Sequence, residues 1–163
     1  GSISHLEAVL GKLPSAVKPR YRESHRFLEA KKDGVRFRAG DETLHVDACL
    51  LLRPPLNQKS LAEALHRALT HEGKLYDFLF DFRTADRLAC TEVIYRTYHG
   101  FAPVEFSLIQ KAGRACIPAE NMIDQALACG FELVATCNIE DGCIRTGEAA
   151  LADLQTSRKA LFA

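Results

Sequence analysis

Leu88-Ala89-Cys90-Thr91-Glu92-Val93-Ile94-Tyr95 is the stretch that decides how this chain is read. From Ala89 to Tyr98, Val93, Ile94 and Thr97 gather on one side of a predicted helix, and Gly100 stands beyond its end. The helix therefore opens at a cysteine. The first N–H groups of a helix have no intrahelical acceptor and lie at the positive end of its dipole, so a thiolate at Cys90 is stabilised there. The same groups can hold the oxyanion that forms when a thiolate attacks a carbonyl. The plainer alternative is a structural thiol, because an unpaired cysteine packs well as a small hydrophobe.

Working outward, Tyr76-Asp77-Phe78-Leu79-Phe80-Asp81-Phe82 fits a short strand or an irregular aromatic segment. Before it, Leu61, Ala64, Leu65, Ala68 and Leu69 recur at helical spacing between Lys59 and His71, and Gly73 stops that helix. His45 to Arg53 is a predicted apolar strand that ends at Pro54-Pro55, since proline cannot donate to a ladder. Arg26-Phe27-Leu28-Glu29-Ala30 and Val35-Arg36-Phe37-Arg38 read as a β-hairpin turned by Lys32-Asp33-Gly34, whose glycine tolerates positive φ. The proline-containing, basic stretch from Lys12 to Ser24 reads as an exposed loop, and Ser4 to Gly11 as a strand. Downstream, Pro118-Ala119-Glu120 opens a helix to Ala128, with Pro118 near its first turn. Gly130 ends it, Phe131 to Cys137 is a strand, and Thr146 to Leu161 a terminal helix. Nothing repeats, so residues 1–163 are expected to form a single α+β domain.

Composition narrows the function classes. Lys plus Arg equals Asp plus Glu at 21 each, which gives no electrostatic case for nucleic acid or an anionic membrane. The longest apolar run, Ala48 to Leu52, is strand-sized and far short of the roughly 18 residues a membrane span needs, so no stable membrane insertion is expected. Six cysteines occur, at positions 49, 90, 116, 129, 137 and 143, without a CxxC pair or zinc-finger spacing. A reducing cytoplasm is the simpler expectation, and no metal or other cofactor is implied. Gly1-Ser2 resembles the remnant of a tag, which leaves room for an upstream signal or further domain in the natural protein.

Several motifs together resemble the circularly permuted branch of the NlpC/P60 papain-like cysteine hydrolases represented by YaeF and YiiX. Ile3-Ser4-His5 through Gly11 matches its Ser-His strand, and Leu28-Glu29-Ala30 with Gly34-Val35 its acid strand and hairpin. Leu51-Leu52-Arg53-Pro54 matches a third strand, Tyr76-Asp77-Phe78 an aromatic segment, and Cys90-Thr91-Glu92-Val93 the nucleophile helix. The order His, acid, Cys reverses that of papain, as permutation requires. The match runs roughly from residue 3 to 137. It departs in lacking the Gly-Asp strand that usually precedes the His strand, and in having Glu7-Ala8 where Gly-Ile often follows the His.

This resemblance implies a permuted papain-like fold, an antiparallel sheet with the nucleophile helix packed against it. It implies a triad in which Cys90 attacks, His5 moves the proton and Glu29 orients the imidazole. Tyr76 would line the cleft and donate its hydroxyl to the reacting carbonyl. Asp77 would brace the loop before the nucleophile helix, and Glu92 would serve its first turn structurally. Among the other histidines, His45 at the start of the third strand is the next candidate base. His99 closes the nucleophile helix, His25 sits at the mouth of the second strand, and His66 and His71 are expected on a helix surface. The expected activity is hydrolysis of an amide or ester in a small peptide, amide or lipid substrate through an acyl-enzyme. Two alternatives stand beside it: a lipid acyltransferase of the lecithin:retinol acyltransferase type, and a non-catalytic papain-like binding module.

Overall fold

A tight hairpin supports the rest of the site. Strands β1 (His25–Lys31) and β2 (Gly34–Ala39) pair antiparallel, with Glu29 opposite Arg36 and Ala30 opposite Val35. The computed structural model describes residues 25–138 and 143–161. At the turn Gly34 adopts φ +103°, and a Cβ there would come 2.5 Å from the carbonyl oxygen of Lys74. Only glycine fits both constraints. The chain at 73–75 runs along the edge of β2, through Val35 N–H to Lys74 O at 2.8 Å and Gly73 N–H to Val35 O at 2.8 Å.

After β2 come a one-turn helix α1 (Gly40–Thr43), strand β3 (Ala48–Arg53) and helix α2 (Gln58–Leu69). Asn57 caps α2, its side chain accepting the Ser60 N–H at 2.9 Å. Two-residue strands β4 (Leu75–Tyr76) and β5 (Arg87–Leu88) pair in parallel and lead into α3 (Cys90–Tyr98). A hairpin of β6 (Ile109–Lys111) and β7 (Arg114–Cys116) precedes α4 (Ala119–Ala128). Then β8 (Glu132–Asn138) pairs antiparallel with both β3 and β9 (Cys143–Thr146), and α5 (Gly147–Leu161) follows. The fold is α+β, built on small, mostly antiparallel sheets. Among the described residues no helix is long and apolar enough to cross a membrane.

Among the described residues, two of the three clusters of buried side chains flank the start of α3, and the third packs Leu69 of α2 with Phe37, Ala62 and Leu65. Alternation along the hairpin sends Leu28, Ala30 and Val35 to one face, where they meet Leu88, Val93 of α3 and Tyr76. The larger core joins Phe82 and Ala89 to Val104, Phe106, Ile117, Met122, Ala126 and Phe131. Each fully buried side chain of this size contributes about 1.5–3 kcal/mol, so the start of α3 is fixed from both sides.

Two expectations need correction. The third strand begins at Ala48, because the chain bends at 46–47, and His45 lies outside it, exposed. Helix α2 stops at Leu69, with Thr70 as its C-cap, so His71 stands in the following turn and is buried, at 7% exposure. Pro118 stands beside the first turn of α4, as expected, serving as its N-cap with an extended ψ of 155°.

Candidate active site

Cys90 is the first residue of α3, and its side chain is exposed. The first intrahelical hydrogen bond runs from Val93 N–H to Ala89 O at 3.1 Å, so the N–H groups of Cys90, Thr91 and Glu92 have no intrahelical acceptor. Ala89 has no side-chain oxygen with which to cap them. That end of the helix therefore presents its donors beside an exposed sulfur.

The parallel β4–β5 pair brings Tyr76 to this end. Tyr76 lies opposite Leu88, two residues before Cys90, and its phenol is close enough to interact with the Cys90 thiol. Burial first, and then this sulfur, push the Tyr76 phenol above its ordinary range.

Beneath the site lies a charge pair that the sequence points to only through its i,i+4 spacing. Glu92 is fully buried, and accepts from Ala89 N–H at 3.3 Å and from Arg96 Nε at 2.7 Å. Arg96 also donates to Phe82 O at 2.9 Å and to Thr84 O. Burial pushes the Glu92 carboxyl up, while the Arg96 guanidinium opposes that shift. The structural role expected of Glu92 thus extends beyond the first turn, since the pair ties α3 to the loop at 82–84.

That loop is held at several points and presents apolar groups between them. Buried Asp77 accepts from Leu79 N–H at 2.9 Å and Asp81 N–H at 2.7 Å, bracing the loop. Phe82 N–H reaches Ala115 O at 2.8 Å, and Arg114 Nη1 reaches Leu79 O at 2.9 Å. Between these anchors Phe78, Leu79 and Phe80 are 62%, 57% and 42% exposed, and Phe80 takes φ +53°. A positive φ is costly for a bulky side chain and is retained where the surroundings impose it. The rings of Phe78 and Phe80 meet Tyr76 edge-on, with centroids 5.0 and 5.9 Å away. An exposed apolar platform therefore adjoins the Tyr76–Cys90 contact.

His5 lies outside the described residues. Glu29 is on β1, and strand alternation turns it away from the face that packs on α3. There its carboxylate accepts the Thr43 hydroxyl at 3.0 Å and lies 3.2 Å from Lys31 Nζ and 3.3 Å from Arg38 Nε. Among the other histidines, His45 and His66 are exposed. His99 caps the far end of α3, where its Nδ1 accepts Phe106 N–H at 3.0 Å and its ring stacks on Tyr95. His71 shares a cavity of about 280 Å³ with Arg67, Tyr95, Arg96 and His99, and neither of its ring nitrogens has a hydrogen-bond partner. Burial, with Lys74, Arg96 and Arg67 around it, lowers the His71 pKa to about 4. Nine residues of helix span roughly 13 Å, so this end of α3 is out of proton-transfer reach of Cys90.

Compared with family models, curated proteins and solved structures, the chain finds no match in any of the three.

Proposed function

We propose that this protein is a thiol hydrolase in which Cys90 attacks the carbonyl of an amide or ester. The Cys90 sulfur bonds to the carbonyl carbon, and the oxyanion is met by the N–H groups at the start of α3 and by the Tyr76 hydroxyl. The leaving amine or alcohol departs with a proton supplied by His5. Water then cleaves the thioester, releasing the acid and restoring the thiol. The observation that carries this reading is an exposed sulfur at the first position of α3 with the Tyr76 hydroxyl beside it. Arg96 pairs with Glu92, so the buried carboxylate does not cancel the positive field at the helix start. Glu29 is the third member by resemblance. Its carboxylate is already held by Thr43, Lys31 and Arg38, so in this proposal Cys90 and His5 are the working pair and Glu29 braces the hairpin.

The exposed Phe78–Leu79–Phe80 platform favours a substrate with an apolar part close to the scissile bond. It also supports the second reading, transfer of a lipid acyl group to an amine or alcohol, because both use the same acyl-enzyme.

The test is the rate of Cys90 carboxamidomethylation by iodoacetamide against pH, in the native chain and in His5→Ala. A panel of esters and amides with acyl chains of increasing length is then assayed. The expected result is fast labelling of Cys90 at neutral pH that His5→Ala slows. Turnover should rise with chain length and be lost in Cys90→Ala. Labelling that follows an ordinary thiol and ignores His5, with no turnover, would instead make the domain a binding module.

A further inference from the structure

We propose that Cys49 and Cys137 form a peroxide-oxidisable dithiol, a modification site in the β3–β8 sheet separate from Cys90. The two residues are direct cross-strand partners in the antiparallel β3–β8 register. Opposed Cα atoms in such a pair are about 4.5–5.5 Å apart, inside the range that a disulfide bridges. Directly opposed residues of a sheet present their side chains on the same face, and both cysteines line one cavity of about 270 Å³ between the sheet and Asp153, Leu154 and Ser157 of α5. Local desolvation first, and then the neighbouring Cys137 thiol, raise Cys49 above its ordinary range. Cys49 is exposed, so a small oxidant reaches the pair from solvent.

Neighbouring cysteines are excluded by the pleat. Cys137 faces Ile144 across the β8–β9 ladder, whereas Cys143 faces Asn138. Consecutive residues point to opposite sides of a sheet, so Cys143 stands on the other face from Cys137.

The chemistry balances with hydrogen peroxide as oxidant. One sulfur attacks a peroxide oxygen; an S–O bond forms, the O–O bond breaks, and the departing hydroxide takes the thiol proton as water. The second sulfur attacks the sulfenic sulfur; the S–S bond forms, the S–O bond breaks, and hydroxide leaves with the second thiol proton as water. Two thiols and one peroxide thus give one disulfide and two waters. Side chains directly opposed in a sheet have Cβ atoms about 4.5–5.5 Å apart, wider than the roughly 3.8 Å a disulfide prefers, so the strands must draw together. Such a bond is strained and readily reduced, which makes the site reversible.

The test treats the full chain with a small excess of hydrogen peroxide, blocks remaining thiols with N-ethylmaleimide, and digests with a glutamyl endopeptidase under non-reducing conditions. Cleavage after Glu42, Glu63, Glu132, Glu140 and Glu148 places Cys49 in 43–63, Cys137 in 133–140 and Cys143 in 141–148, so the three thiols are read separately. The expected product joins 43–63 to 133–140 with the loss of two hydrogens, reverts with dithiothreitol, and is absent in Cys49→Ser and Cys137→Ser. In each variant the remaining partner should become blockable. The proposal is overturned if both thiols stay blockable while Cys90 or Cys143 takes up oxygen, or if 133–140 links to 141–148 instead.

Discussion

The two ends of α3 are built in opposite ways. At its start the helix leaves donors without intrahelical partners, has at its N-cap an alanine that cannot cap them, and places an exposed sulfur beside a tyrosine hydroxyl. At its end the carbonyls are closed off: Arg67 Nη1 donates to His99 O at 2.8 Å and to Arg96 O at 3.4 Å, with its guanidinium over the Phe101 ring. Both ends occur in one nine-residue helix, so length and propensity do not explain the difference. The difference shows which end the fold spends on stability and which it leaves open for chemistry. The Glu92–Arg96 pair links the two, with its carboxylate under the open end and its guanidinium lining the cavity at the closed one.

Breaking that link should have the largest effect. Arg96→Ala leaves Glu92 buried without its cation, and unfolding by urea should show a loss of about 3–5 kcal/mol at neutral pH. Burial already raises the Glu92 pKa. A carboxyl raised in the folded state favours folding at low pH, and loses that contribution as pH rises through the folded value. The Arg96→Ala defect should therefore shrink as pH is lowered. A pH-independent defect would mean that packing, not charge, is what Arg96 supplies.

Gly34→Ala comes next and attacks the support of the open end. The added methyl would meet the Lys74 carbonyl at 2.5 Å on a backbone at φ +103°. A loss of about 3 kcal/mol is expected, since the strain of positive φ adds to a backbone clash. Because the 73–76 segment carries Tyr76 to Cys90, labelling of Cys90 should change with it. An unaffected melting temperature would show that the hairpin and this segment are not tightly joined.

The open end was far more legible in the sequence than the closed one. Helical spacing around Cys90 and the Asp-Gly turn are local signals, and both elements formed where those signals pointed. Tyr76 is brought near Cys90 by the two-residue parallel pair Leu75–Tyr76 with Arg87–Leu88, which is too short to leave a periodicity. The β6–β7 hairpin leaves little trace in the sequence because its turn puts Ala112 at φ 51°, a conformation whose usual signature is Asn, Asp or Gly. His71 is hard to place from sequence for a related reason. Apolar spacing gave the extent of α2 to within two residues, and those two residues separate an exposed helical histidine from a buried one in a turn.

At the closed end, His71 supplies the third effect. Its pKa is about 4 in the folded protein against an ordinary 6.5. The unfolded chain therefore binds the proton first, and stability present above pH 6.5 drains away as pH falls toward 4. On the order of 2 kcal/mol should be gone by pH 5. His71→Phe should flatten that part of the profile in denaturant titrations. An unchanged slope would place the acid sensitivity elsewhere.

Tyr76→Phe probes the open end directly. It removes one hydroxyl beside the sulfur, and should cost about tenfold in acyl transfer, equivalent to roughly 1.4 kcal/mol, with less than that lost in stability. A fall in stability without a fall in rate would make Tyr76 a packing residue.

The smallest effect sharpens the comparison most. Glu29 sits on the hairpin face turned from α3, held by Thr43, Lys31 and Arg38. Glu29→Gln keeps the shape and the Thr43 contact and weakens only partly exposed ion pairs, so under about 1 kcal/mol of stability should be lost. Cys90 should label at an unchanged rate, because a carboxylate spent on one face of a hairpin cannot also orient an imidazole on the other. A drop of about a hundredfold in acyl transfer, with folding intact, would mean that the carboxylate does reach the base. The hairpin would then serve chemistry on both faces, and the division between closed structure and open site drawn along α3 would not extend to β1.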